Sequence, residues 1–358
     1  METPCLDIFG AKERTEAAAR VTPETVASVF NSCNIYPKSI IATISPQITS
    51  FDVDFENVGD IPKAKTSRVK TIMEAAFHSA VTYESSPTCH LRLKISNLRR
   101  KTVYLEECIE KIKNPSNRQI KAFIGIDTNN RPIALDITAA PHVLIAGTTG
   151  CGKSTLLNSI LCSLLINYSP NELQLLLLDP KQVELSAYSG VRHLVLEPVT
   201  DHFVFYLRQA WQKMEERYTT MAAQGVKDAI QTTYPQVVIV IDELADIMLS
   251  AAGAICENYL VKIAQKGRAA GFHLIIATQN PISKVVTSLL KANLPCVIGM
   301  KTNDQTKSNV ILGHKGAEAL TGKGDAFLKL PSQVEEIRFQ SAYTSNTDIR
   351  SITDFWRK

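Results

Sequence analysis

Residues 141–160, PHVLIAGTTGCGKSTLLNSI, interrupt an apolar run with Gly147, Gly150 and Gly152 and then place Lys153 and Ser154 at the start of a helical pattern. Gly147, Thr148, Thr149, Gly150, Cys151, Gly152, Lys153 and Ser154 fit G-x-x-x-x-G-K-[ST], set between a strand and a helix, the context that gives the match meaning. Glycines let backbone N–H groups turn inward around phosphate oxygens, and the following helix adds its positive N-terminal end. Lys153 reaches the terminal phosphates, Ser154 offers its hydroxyl to Mg²⁺, and Thr155 completes the phosphate-binding set. The chemistry this pattern implies is the holding of a nucleoside triphosphate.

Hydrolysis needs a metal partner and a group that orients water. The stretch VVIVIDE supplies both: Val237 to Ile241 make a buried strand whose end presents Asp242 and Glu243. Asp242 is expected in the Mg²⁺ shell and Glu243 at the attacking water. A glutamate directly after the aspartate argues for hydrolysis rather than transfer to a small molecule. In ATQNP, Thr278 and Gln279 stand at the end of the next strand. There Gln279 is expected either to sense the γ-phosphate or to cap the following turn.

These residues must be held by a sheet. Apolar strands at 142–146, 173–179, 236–242, 273–278 and 295–300 alternate with helical segments. That alternation predicts an α/β fold with a mostly parallel sheet covered on both faces. Ahead of it lies a small α+β subdomain: ITSFDVDFE alternates Phe51, Val53 and Phe55 with acidic residues, SRVKTIMEAAFHSAV has helical spacing, and HLRLKIS alternates again. KNPSNRQ at 113–119 breaks both periodicities and marks the boundary. The expected layout is a flexible tail at 1–20, the α+β subdomain at 21–115, the ATPase domain at 116–345 and a C-terminal tail at 346–358 that packs through Phe355 and Trp356.

Composition sets the bounds. Of 358 residues, 45% are hydrophobic and 21% charged, an ordinary globular composition with room for two domains. No stretch reaches the roughly 18 apolar residues of a membrane helix, and the acidic amino terminus does not resemble a signal peptide. A cytoplasmic location without membrane insertion is expected. The eight cysteines, Cys5, Cys33, Cys89, Cys108, Cys151, Cys162, Cys256 and Cys296, show no C-x-x-C spacing and read as reduced thiols. A net charge of +4 leaves nucleic acid open, because local patches decide such binding. His142 and His273 begin core strands and read as structural, while Glu215, Glu216 and Arg217 read as surface or interface ion pairs.

The segments LLLLDPKQVELSAYSGVRHL, MEERY, VVIVIDELADIM, AQKGRAAGFHLIIATQNP, LLKANLPCVIGM and GAEALTGKGDAFLKLP follow the phosphate motif in order. Across residues 121–340 they resemble consecutive landmarks of the FtsK/SpoIIIE DNA translocases, and ISPQITSFDVDF and LRRKTVYLEECI are similar to that family's α subdomain. The resemblance implies a RecA-like P-loop NTPase core using ATP and Mg²⁺, and a homo-oligomer, usually a hexameric ring, that threads double-stranded DNA. It implies phosphate and metal contacts at Lys153 and Ser154, a Walker B pair at Asp242 and Glu243, a sensor at Gln279 and a family arginine at Arg268. Asn309 departs from the pattern, where members carry an arginine after the serine, so Arg268, Lys301 and Lys307 all stand as candidates for the trans-acting cation. Lys284, Lys291, Lys301 and Lys307 fall in the region implied to face DNA, and the basic runs KAKTSRVK and RLKISNLRRK are a candidate outer collar. The asparagine and proline of KNPSNRQ aside, Asp179-Pro180-Lys181 and Glu184 match a landmark placed near the nucleotide or the subunit interface. Without a membrane anchor or winged-helix domain in this sequence, the expectation is a stand-alone motor of a phage, plasmid or mobile element, with a loading or anchoring protein as further partner. The alternatives are a protein-secretion ATPase of the type VII class and a DNA-packaging or transfer motor subunit acting with a membrane or portal partner.

Overall fold

The structure, a computed structural model, describes residues 3–10, 19, 21–84, 90–109 and 119–357. The expected boundary at 113–119 lies outside these residues except for Gln119, as do Cys89 and most of the expected tail at 1–20. The chain divides into two compact units, one of Lys12–Val103 with Ile126–Arg131, the other of Met1–Ala11, Tyr104–Gly125 and Pro132–Lys358.

The smaller unit contains α1 (Pro23–Ser32), β1 (Pro37–Ile44), β2 (Ile48–Phe55), α2 (Asp60–Ala64), α3 (Ser67–Phe77), β3 (Val81–Glu84) and β4 (Leu91–Ser96). Its four strands form an antiparallel sheet in the order β1-β2-β4-β3. Thr22 starts α1 by accepting the Thr25 N–H, and Pro23 takes the first helical position, where its missing N–H costs nothing. Strand alternation sends Phe51, Val53 and Phe55 of β2 and Leu91, Leu93 and Ile95 of β4 into one core with Phe30 of α1 and Met73 and Phe77 of α3. The intervening residues pair across strands: the Arg92 guanidinium donates to Asp52 at 2.7 Å and Lys94 lies 2.7 Å from Glu84. Those two members of the expected basic collar are therefore matched by carboxylates.

The larger unit runs through α4 (Leu105–Ile109), β5 (Lys121–Asp127), β6 (Pro132–Asp136), β7 (His142–Ala146), α5 (Lys153–Asn167), β8 (Leu173–Leu178), α6 (Phe203–Ala223), β9 (Gln236–Ile241), α7 (Leu244–Met248) and α8 (Gly253–Ala270). It closes with β10 (Phe272–Thr278), α9 (Ser288–Ala292), β11 (Cys296–Met300), α10 (Gln305–Leu312), β12 (Asp325–Lys329), β13 (Ile337–Ser341) and α11 (Asn346–Arg357). The nine-stranded sheet has the order β6-β5-β13-β12-β11-β7-β10-β9-β8. Pairing is parallel from β11 through β7, β10 and β9 to β8, and antiparallel at β11–β12 and β12–β13. The mostly parallel α/β sheet expected from the strand pattern is present; the β12–β13 hairpin that extends it was not anticipated.

β7, β9 and β10 are buried along their whole length, and α5 is buried on nearly every side, as befits a helix enclosed within its unit. Residues 346–357 form α11, held by Trp356, whose indole N–H donates to the Leu165 carbonyl at 2.8 Å and whose ring meets His193 edge-on at 4.5 Å. Phe355 stays partly exposed beside it. Among the described residues no helix is long and apolar enough to cross a membrane.

Candidate functional site

β7, β9 and β10 run parallel, so the segments leaving their C-terminal ends share one edge of the sheet, where open α/β sheets place ligands. Three neighbouring segments hold the loop after β7. The Gly147 N–H donates to the Thr278 carbonyl at 3.3 Å, and the Thr148 N–H and hydroxyl donate to the Lys301 carbonyl at 2.8 and 3.1 Å. The Gly324 N–H donates to the Cys151 carbonyl at 2.7 Å. Gly152 takes φ +104°, and a Cβ there would come 2.6 Å from the Gly324 nitrogen, so this position excludes a side chain twice over. α5 begins at Lys153, so its unpaired first-turn N–H groups face the loop.

Lys153 and Asp242 are nearly fully buried, at 3% and 2% side-chain exposure, and the ammonium lies 2.7 Å from the Asp242 carboxylate. It also donates to the Asp242 carbonyl at 2.6 Å. An ion pair this deeply buried persists only when both charges are hydrogen-bonded, and the two contacts meet that condition. Ser154 and Asp242 offer hydroxyl and carboxylate oxygens, a hard donor set that suits Mg²⁺.

Glu243 lies two residues beyond β9 and caps α7 by accepting the Ala245 N–H at 3.3 Å. Its Oε1 also accepts the Thr278 hydroxyl at 2.7 Å, and the Gln279 N–H is shared between Oε1 and Oε2, at 3.1 Å to each. The Gln279 side-chain oxygen in turn accepts the Thr149 hydroxyl at 2.8 Å. One chain of hydrogen bonds thus runs from the phosphate loop through Gln279 to Glu243. Thr148, Thr149, Glu243 and Gln279 line a single cleft of about 400 Å³. Lys181, Asp246, Asn303 and Lys307 line it too. The family landmark left Lys181 near the nucleotide or the subunit interface, and it lines the cleft; Asp246, inside the landmark VVIVIDELADIM, and Asn303 carry no separate signal in the sequence.

The expected cations disperse. Arg268 is exposed near the C-terminal end of α8, just before β10. The seven residues of β10, at about 3.3 Å each, put it roughly 20 Å from the cleft of its own chain. Lys284 is exposed in the segment between Gln279 and α9. Lys291 donates to the Val310 carbonyl at 2.5 Å, and burial followed by the charge of Lys329 pushes its ammonium pKa down. The Lys301 backbone carbonyl holds the phosphate loop, and Lys307 lines the cleft. Asn309 is exposed on α10.

Among the described residues Arg217 forms no ion pair; it donates to the Pro235 and Ala270 carbonyls at 2.9 and 3.1 Å and lies over the Phe272 ring at 4.7 Å. α6 packs against α8, and Glu215 pairs with Lys266 at 2.6 Å. His142 and His273 are buried, His142 accepting the Leu274 N–H and His273 meeting Gln236. Burial also raises the pKa of the Cys151 thiol.

The profile of the FtsK/SpoIIIE family matches residues 110–233 and 227–283. The DNA translocase FtsK of Vibrio parahaemolyticus is 32% identical across 98% of this chain and 37% of that protein. The DNA translocase FtsK of Leptospira interrogans is 37% identical across 74% of this chain and 30% of that protein. The chain thus spans about a third of the length of these curated relatives. Among solved structures, the pCW3 conjugation coupling protein TcpA, a monomer form with ATPγS, superposes with a TM-score of 0.61 at 21% identity, covering 93% of this chain and 99% of TcpA. The cytoplasmic domain of the Thermomonospora curvata type VII secretion ATPase EccC gives 0.58 at 24% identity over 67% of this chain and 31% of that one. At such identities the likeness is one of fold. Sequence identity over nearly the whole chain and a phosphate loop closed onto an Asp-Glu pair agree: this chain belongs to the FtsK/SpoIIIE family and is one of its P-loop ATPases.

Proposed function

We propose that this protein is an ATP-driven translocase of double-stranded DNA that works as a ring of identical subunits, six in the expected assembly. The observation that carries the reading is the hydrogen-bonded chain from Thr149 through Gln279 to Glu243, in a chain 32% identical over 98% of its length to a DNA translocase. In this reading the loop N–H groups and Lys153 hold the phosphates of ATP, and Ser154 with Asp242 holds Mg²⁺, which supplies charge neutralisation when bound. Glu243 accepts a proton from the attacking water. Gln279, bonded at once to the phosphate loop and to Glu243, registers the loss of the γ-phosphate and passes it along residues 280–287 to Lys284, the exposed member of the expected DNA set. Arg268 lies too far from its own cleft to act there, which supports a role at a neighbour's site and hence a ring.

The deciding experiment is steady-state ATP hydrolysis with and without long double-stranded DNA across a salt series, beside Glu243→Ala. Stimulation that fades with salt and a loss of about 100-fold or more in the variant are expected. Hydrolysis indifferent to DNA at every salt concentration overturns the DNA reading and points to a protein cargo.

A further inference from the structure

Lys181 sits in the loop that leaves β8, outside the phosphate loop and the Asp-Glu pair. Asp179 shapes that loop: its backbone N–H donates to the Val199 carbonyl at 2.8 Å, its carbonyl accepts the Gln182 N–H at 3.2 Å, and its Oδ2 accepts the Leu185 N–H at 2.9 Å. Pro180 restricts the backbone before Lys181, and Gln182 after it takes φ +56°, a left-handed conformation that a non-glycine residue adopts only when its surroundings impose it. The turn aims Lys181 at the cleft, where its ammonium lies 3.8 Å from Glu243 Oε2 and 3.6 Å from Asp246 Oδ2.

The two oxygens of Glu243 differ. Oε1 accepts from Thr278, Gln279 and Ala245, whereas among the described residues Oε2 accepts only a share of the Gln279 N–H. A carboxylate oxygen offers two lone pairs, so Oε2 is the one with capacity left for water. Among the described residues, Lys181 is the cation within ion-pair distance of that oxygen. Its side chain is 46% exposed while Glu243 is 3% exposed, so the pair adds little to folding stability, yet the charge stands directly at the buried carboxylate.

We infer that Lys181 is a positioning residue of the hydrolytic step: anchored by Asp246, it holds the Glu243 carboxylate with Oε2 turned to the attacking water. The inference rests on ATP hydrolysis at this cleft. Removing Lys181 leaves the loop N–H groups and Lys153 in place, so the loss falls on turnover rather than on ATP binding.

The test compares Lys181→Met, Lys181→Arg and Asp246→Asn with the wild type in ATP hydrolysis, in affinity for a fluorescent non-hydrolysable ATP analogue and in thermal melting. Lys181→Met should lower kcat by about 10- to 100-fold, the range expected for a misplaced reacting group. KM and analogue affinity should change by less than about threefold, the pattern of an interaction that matters only in the transition state. Lys181→Arg should recover most of the rate, Asp246→Asn should fall between, and melting should not move. Wild-type turnover in Lys181→Met, an equal loss of analogue affinity, or no recovery with arginine would each overturn the inference while leaving the ATPase assignment standing. A wild type that hydrolyses no ATP overturns both together.

Discussion

At Gly152 the backbone takes φ +104° while the Gly324 amide nitrogen closes over the place where a Cβ would sit, 2.6 Å away. Either constraint alone demands glycine; together they tie the phosphate loop to the turn before β12. Gly152→Ala should therefore cost about 1–3 kcal/mol in strain and displace the loop amides. The expected result is a lower melting temperature and at least about tenfold weaker nucleotide binding, 1.4 kcal/mol of lost affinity. Unaltered binding of a fluorescent ATP analogue would show that the loop does not form the phosphate contact. Lys153 and Asp242 make the complementary point, since their roles follow from residue type but their direct pairing depends on β7 and β9 ending at one edge.

At the scale of elements, His142 opens β7, His273 is the second residue of β10 and His193 lies in the segment after β8, all three buried. Burial, and then the charge of neighbouring His273, pushes the His142 pKa down to about 3. Burial pushes His273 and His193 down to about 4. All three lie below the ordinary value of about 6.5, so in the window beneath it the unfolded chain binds protons that the native chain refuses. Stability from these groups is present in full above about pH 6.5 and is lost progressively as pH falls toward 4. The melting temperature should drop steadily from about pH 7 to about pH 5. A flat profile across that range would mean that the histidines are solvated or repaired by partners on protonation. Helix α11 shows a different element-level effect: residues 346–358 read as a tail packing through Phe355 and Trp356, whereas Asn346–Arg357 form a helix whose Trp356 docks on the Leu165 carbonyl, far away in sequence.

For the whole molecule the decisive quantity is how affinity for DNA depends on salt. Phosphate contacts release counterions, so each lysine that touches the backbone adds to the slope of log affinity against log salt. Lys284 is exposed, whereas the Lys291 ammonium donates to the Val310 carbonyl, the Lys301 backbone carbonyl holds the phosphate loop and Lys307 lines the cleft. Lys284→Ala should weaken DNA binding uniformly across sequences and reduce that slope by about one per contact removed. Lys291→Ala should leave the slope unchanged and act on stability instead, because its ammonium holds the end of α10. The reverse ranking would place DNA against α9.

Contiguous residues carry the record of which local segments exist and what chemistry they hold. Glycines at 147, 150 and 152, Lys153 with Ser154, and an apolar strand ending in Asp242 and Glu243 are each written in contiguous residues, because backbone conformation and ligand type act over a few positions. Strand alternation likewise separated the small antiparallel sheet from the parallel one. Which segments meet is set by the packing of strands distant in the chain. β7 lies between β10 and β11, strands that follow it much later, and that order brings the Thr278 and Lys301 carbonyls to the phosphate loop. The same order sets Lys181 against Glu243, draws Lys291 and Arg217 onto carbonyls and sends Arg268 to the far edge of the sheet. Strand order and the fate of long charged side chains depend on packing between distant residues, and a local pattern contains no record of it.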